Sequence, residues 1–288
     1  MHDDIKSLLS TAALNRRMFV ASAVLATGYA LAVKPAAAAE PVVTDKTGLA
    51  EGAVMIPTDA GEMPGYAAMP ATGGKFPTVL VVQEIFGVHE YIRDICRRLA
   101  KLGYLAVAPE LYFRIGDPSK IADIQTLLST LVAKVSEPRV LADLDAAAAW
   151  AAANGGDPDR LGITGFCWGG RVTWLYAAHN PKLKAAVAWY GRLVGDITPN
   201  TPANPLDLAA EMKAPVLGLY GGADQGIPVE TVESMRAAVK RAQVECELVI
   251  YPGTPHAFHA DYRPSYRDEP AKDGWKRLVA WFKGHGLG

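Results

Sequence analysis

The segment Leu161-Gly162-Ile163-Thr164-Gly165-Phe166-Cys167-Trp168-Gly169-Gly170 passes from strand to helix through a turn of small residues around one cysteine. Residues 161–164 are an apolar run of strand length, and a helical pattern begins at Gly169 and continues to residue 178. Direct passage from strand to helix is what a parallel sheet with helical crossovers requires. The same alternation extends to both sides. Upstream, residues 78–82 (Thr-Val-Leu-Val-Val) are continuously β-branched or apolar, as in a strand buried on both faces. A helix over 91–102 and a strand over 104–108 follow, and helical stretches over 121–135 and 139–153 lead back to residue 161. Downstream come strands at 185–189, 216–220 and 248–251, with helices at 229–241 and near 273–283. Towards the N-terminus, apolar segments 53–56 and 66–69 flank the turn-forming Thr58-Asp59-Ala60-Gly61 and predict an antiparallel hairpin. The expected fold is α/β: a mostly parallel central sheet with helices on both faces and an N-terminal antiparallel hairpin. Residues 196–205, rich in Thr, Pro and Asn, read as a surface loop and not as a domain boundary.

With 288 residues, half of them hydrophobic, the chain is long enough for one large core. Lys and Arg number 29 against 30 Asp and Glu, a net charge of −1, so there is no basic field to gather nucleic acid or anionic lipid. The first 39 residues differ from the rest. Paired Arg16-Arg17 precede an apolar stretch over 19–33, and Ala36-Ala37-Ala38-Ala39 offers small residues for cleavage before Glu40. The pattern resembles a twin-arginine export signal. It predicts a periplasmic or secreted protein whose catalytic domain is 40–288, without stable membrane insertion after cleavage. A single membrane anchor is the competing reading, but the stretch falls short of the roughly 20 apolar residues a span needs. Three cysteines, Cys96, Cys167 and Cys246, allow at most one intramolecular disulfide and leave at least one free thiol.

Cys167 occupies the position of a nucleophile elbow, where flanking glycines let the chain turn sharply and a helix N-terminus favours a thiolate and a developing oxyanion. A buried cysteine in a tight turn is the structural alternative. Two further residues point to chemistry. Asp224 follows the strand at 216–220 and His256 follows the strand at 248–251, so nucleophile, acid and histidine occur in the order Cys, Asp, His. In a parallel sheet the C-terminal strand ends share one edge, where residues distant in sequence converge. Taken singly, Asp224 also reads as a helix or turn cap, and His256 as a ring packed under Phe258. A free thiol, with a pKa of about 8.5, needs activation near neutrality. His256 can take its proton and return it to a leaving alkoxide, while Asp224 orients the ring. The backbone N–H groups of Trp168 and Ile85 are the candidate oxyanion donors.

From about Gly52 to the C-terminal helix the sequence resembles the dienelactone hydrolases of the α/β-hydrolase superfamily. The resembling segments are Gln83-Glu84-Ile85-Phe86-Gly87, Ala108-Pro109-Glu110-Leu111-Tyr112, Gly165-Phe166-Cys167-Trp168-Gly169-Gly170, Gly222-Ala223-Asp224 and His256-Ala257-Phe258. The resemblance implies a Cys167–Asp224–His256 triad acting on a small ester or enol lactone through an acyl-cysteine, without metal or organic cofactor. It implies that Glu84 lies beside the nucleophile and helps take its proton. It matches Arg114 to an arginine that holds a substrate carboxylate, whereas the position of a second such arginine, four residues after the histidine, is Ala260. Arg263 is near but out of register. Tyr190 and Trp168 are candidate pocket walls. A monomer is expected. Another esterase or acyltransferase, and a non-catalytic ligand-binding protein on the same fold, are the alternatives, distinguished by turnover of an aryl ester that is lost with the Cys167 thiol.

Overall fold

A computed structural model of the protein describes residues 41–288; the segment 1–39, expected from its sequence to be an export signal, lies outside the described residues. Eight strands form one sheet: β1 Leu49–Thr58, β2 Gly61–Pro70, β3 Phe76–Val82, β4 Leu105–Pro109, β5 Gly156–Phe166, β6 Leu183–Trp189, β7 Val216–Gly221 and β8 Cys246–Tyr251. Their order is β1-β2-β4-β3-β5-β6-β7-β8. The β1–β2 and β2–β4 pairs are antiparallel, and every pair from β4 through β8 is parallel. Among the described residues six α-helices accompany them: α1 Glu90–Lys101, α2 Ile124–Thr130, α3 Glu137–Ala153, α4 Trp168–His179, α5 Val229–Arg241 and α6 Asp268–Phe282.

Residues alternate between the faces of a strand, so positions three apart on β5 look in opposite directions. A Cβ at Gly165 would meet the carbonyl oxygen of Gly169 in α4 at 2.3 Å, and one at Gly162 would meet Leu287 beyond α6 at 2.5 Å. Helices therefore cover both faces and press on the sheet closely. This is why β3, lying between β4 and β5, has Thr78 to Val82 all buried and carries no polar alternation. The outer strand β1 has one face open, and its residues alternate in exposure accordingly.

One expected element differs. The helical stretch expected over 121–135 is reduced to the short α2 and a 3-10 turn at Val132–Lys134, with another 3-10 turn just before it at Pro118–Lys120. The breaks follow local polar chemistry. Asp117 accepts from the Ser119 N–H and Asp123 from the Thr126 N–H, each starting a new turn. Ser129 and Thr130 turn their hydroxyls back onto the carbonyls of Gln125 and Thr126, and the chain leaves helical geometry at Leu131. No helix among the described residues is long and apolar enough to cross a membrane. Cys96 in α1 and Cys246 in β8 are free thiols, as is Cys167.

Candidate active site

The C-terminal ends of β3, β5, β6, β7 and β8 lie along one edge of the sheet, and each leads into a residue of the site. After β5, Cys167 adopts φ 57° and ψ −115° as the N-cap of α4. That left-handed conformation is costly for a residue with a side chain and persists only where surroundings impose it. Here the Cys167 N–H donates to the Trp189 carbonyl at 3.0 Å, while its own carbonyl accepts from Gly170 and Arg171. Gly169 is needed for closeness: a Cβ there would stand 2.4 Å from the carbonyl oxygens of Val82 and Gln83. The turn is thus clamped between β3 and β6, and the sulfur stands at the positive end of the α4 dipole.

Asp224, beyond β7, is buried and fixed from both oxygens. Its Oδ1 accepts from the N–H groups of Gly226 and Ile227, and its Oδ2 lies 2.6 Å from His256 Nδ1. This leaves His256 Nε2, buried beside the Cys167 sulfur, as the nitrogen available for proton transfer. Burial opposes a charged ring, but the Asp224 carboxylate first, and then the neighbouring Cys167 side chain, override it and push the imidazole up to about 10. His256 is therefore an imidazolium at neutral pH, presenting positive charge to the Cys167 sulfur. Cys167 and His256 line one cavity of about 80 Å³, whose other walls include Ile85, Trp168, Tyr190 and Ile227. The N–H groups of Ile85 and Trp168 donate to no protein acceptor among the described residues. This arrangement can deliver a nucleophile, a proton and an oxyanion site to one bound carbonyl. Among the described residues no group of three or more His, Cys, Asp or Glu side chains is placed to hold a metal ion.

Residues 63–286 match the model of the dienelactone hydrolase family. The chain belongs to that family. Dienelactone hydrolases act on lactones and esters, and this protein is such a hydrolase on the α/β-hydrolase fold. A Methylorubrum extorquens protein provisionally named as a carboxymethylenebutenolidase is 61% identical over 285 residues, covering 99% of this chain and 98% of that one. A Bradyrhizobium protein, provisionally named as a 2-oxo-3-(5-oxofuran-2-ylidene)propanoate lactonase, is 34% identical over 236 residues, 81% of this chain and 93% of that one. The crystal structure of a Klebsiella pneumoniae protein provisionally named as a dienelactone hydrolase superposes with a TM-score of 0.81 at 60% identity, covering 82% of this chain and 98% of that one.

Within this dienelactone hydrolase the remaining expected residues separate. Glu84, buried after β3, accepts from the Tyr262 hydroxyl at 2.6 Å and lies 3.3 Å from His89 Nε2. Burial opposes its charge, but His89, the Arg263 guanidinium and Tyr262 hold its carboxyl below the usual carboxylate range. Arg263, three residues beyond Ala260, thus supplies positive charge at Glu84. Tyr190 reaches the cavity and packs edge-on against His256 with ring centroids 5.1 Å apart. Arg114 does not. Its guanidinium is bound by both oxygens of Asp143 and by Asp59, and it lies over the Phe113 ring, away from the cavity wall. The arginines that line the cavity are Arg171 and Arg192. Arg171 follows Cys167 by four positions, one helical turn, a spacing that places both on one face of α4 and was available in the sequence. Its donors are spent on Glu137, Asn204 and the Ala203 carbonyl, so it braces the wall. Arg192 stands just past the C-terminal end of β6, the sheet edge on which such sites collect. Leu128 and Val132, also in the wall, come from the broken segment around α2 and carry no sequence signal of their own.

Proposed function

We propose that this hydrolase opens small esters or lactones through a covalent acyl intermediate on Cys167. The observation that carries the reading is the juxtaposition, in one cavity, of a conformationally constrained cysteine at a helix N-terminus and an imidazole held by a buried carboxylate. The thiolate attacks the carbonyl carbon and the oxyanion meets the N–H groups of Ile85 and Trp168. Collapse expels the alkoxide or enolate, which takes the proton from His256 Nε2. In a lactone the leaving oxygen stays tethered to the acyl group. Water then cleaves the thioester with His256, now neutral, as base. Glu84 tunes the charge around the sulfur. The small, mostly apolar wall suits a small ring or ester. The relatives' names, a carboxymethylenebutenolidase and a furan-ylidene lactonase, favour enol lactones first.

The reading is tested by turnover of a panel of aryl esters and enol lactones. Turnover lost in Cys167→Ala and on alkylation supports it; saturable binding without turnover, or turnover indifferent to the thiol, overturns it. The N-terminal pattern leads us to propose twin-arginine export with cleavage before Glu40, and a mature sequence beginning elsewhere overturns that. We also propose that the protein is a monomer, and light scattering in solution tests it.

A further inference from the structure

Tyr190 carries two features that folding alone does not require. It holds φ 38°, a left-handed conformation rare for an aromatic residue, and its hydroxyl is buried with no hydrogen-bond partner. The Tyr91 hydroxyl is its polar neighbour, but the well-formed hydrogen bond of Tyr91 goes to His259 Nδ1 at 2.7 Å and the contact with Tyr190 falls short of good geometry. Phenylalanine would fill the same space, packed on His256 and Phe258, without leaving a polar atom unsatisfied. Glu84 Oε1 shares that condition among the described residues, and His256 Nε2 has only the Cys167 sulfur beside it. Tyr190 lies within the electrostatic reach of both Glu84 and Cys167, and shares the cavity with Cys167 and His256.

The donor and acceptor inventory of the three atoms identifies what they fit. Glu84, held ionised, can only accept; the Tyr190 hydroxyl can donate; His256 Nε2 donates while the ring is charged and accepts once its proton has gone to the leaving group. A substrate carbonyl oxygen can only accept and would leave Glu84 and the neutral imidazole without donors. A water molecule has two donors and two acceptors and satisfies all three. We infer that the Tyr190 hydroxyl and Glu84 Oε1 hold the hydrolytic water of the second half-reaction, in an orientation completed only when Cys167 is acylated and His256 is neutral. This rests on the acyl-Cys167 reading above. In the step, the water oxygen bonds to the thioester carbon and one water proton passes to His256 Nε2. The C–S bond breaks with its electron pair on sulfur, and the product leaves as a carboxylate, releasing the other proton to solvent.

The test separates the two half-reactions with p-nitrophenyl acetate. Stopped-flow release of nitrophenolate reads acylation, and the decay of preformed acyl-protein, followed by intact mass, reads deacylation. In Tyr190→Phe acyl decay should slow by roughly 30-fold or more, and by at least about 10-fold more than acylation, because the water is needed only in the second half-reaction. Glu84→Gln, read by acyl decay alone, should slow likewise, and serves if Tyr190→Phe does not fold. Acyl decay unchanged in either folded variant, or acylation and decay slowed equally in Tyr190→Phe, overturns the water site. If wild-type protein turns over ester without ever carrying an acyl group on Cys167, the covalent reading itself fails, a result distinct from a thioester that forms and decays normally without the phenol.

Discussion

Replacing Asp224 by asparagine exchanges one carboxylate oxygen for an amide nitrogen, and the surroundings dictate which one. Oδ1 is fixed as an acceptor by the N–H groups of Gly226 and Ile227, so the asparagine oxygen must stay there and the amide nitrogen must face His256 Nδ1. Two donors cannot face each other, so the ring is driven to the tautomer with its proton on Nε2, which cannot take a proton from water. The charge effect adds to this. Burial disfavours the imidazolium, and Asp224 with Cys167 outweighs that to raise the ring from 6.5 to about 10, a preference for the charged form on the order of 5 kcal/mol. Without the carboxylate, burial remains and the ring should titrate below its ordinary value. The expected loss in kcat/KM for an aryl ester is about 10³- to 10⁴-fold, with the fold retained because the backbone contacts of Oδ1 survive. The assay is the pH dependence of kcat/KM from about pH 5 to about pH 11, in which the wild-type basic limb should lie near the His256 value and be absent from the variant. An Asp224→Asn protein within about 10-fold of wild type, with its basic limb unmoved, would refute the reasoning.

The same ionisation makes stability depend on pH. A histidine whose folded pKa is raised contributes stability that is complete below its unfolded value of 6.5 and is lost as pH rises towards about 10. The denaturation midpoint of wild type should fall relative to that of Asp224→Asn over this window; the comparison cancels the contributions of buried Cys96 and Cys246, and parallel curves would contradict it. Arg171→Met should destabilise by about 3–5 kcal/mol at neutral pH, because Glu137 is then left buried without its partner. Burial already raises the Glu137 carboxyl, so the loss should shrink on acidification as it takes a proton, and a pH-independent loss in urea melts would argue against this cause. Arg114→Ala should leave KM for esters within about 2-fold while costing about 1–3 kcal/mol through the orphaned Asp143. A large rise in KM at unchanged stability would return Arg114 to substrate binding.

Much of this was legible in the sequence because the signals are local. The run at 78–82 is apolar because β3 is buried on both faces, and the glycines around Cys167 are dictated by backbone contact with β3 and β6. The order of Cys167, Asp224 and His256 could be read because a parallel sheet collects its strand ends on one edge. What was not legible depends on partners distant in sequence. Apolar periodicity over 121–135 cannot show that Asp117 and Asp123 restart the chain, nor that Leu128 and Val132 end in the cavity wall. Arg114 looked available until Asp143 and Asp59 were seen to enclose it. Arg263 was out of register with the expected arginine, yet tertiary folding brings its charge to Glu84.

The central claim is a bond between substrate and sulfur. Rapid quench of the protein mixed with a small aryl ester, followed by intact mass and peptide mapping, measures it directly: an acyl increment on the peptide containing Cys167, formed no more slowly than turnover and absent after iodoacetamide treatment, is the predicted result. Undiminished turnover while that peptide stays unmodified throughout would contradict the account.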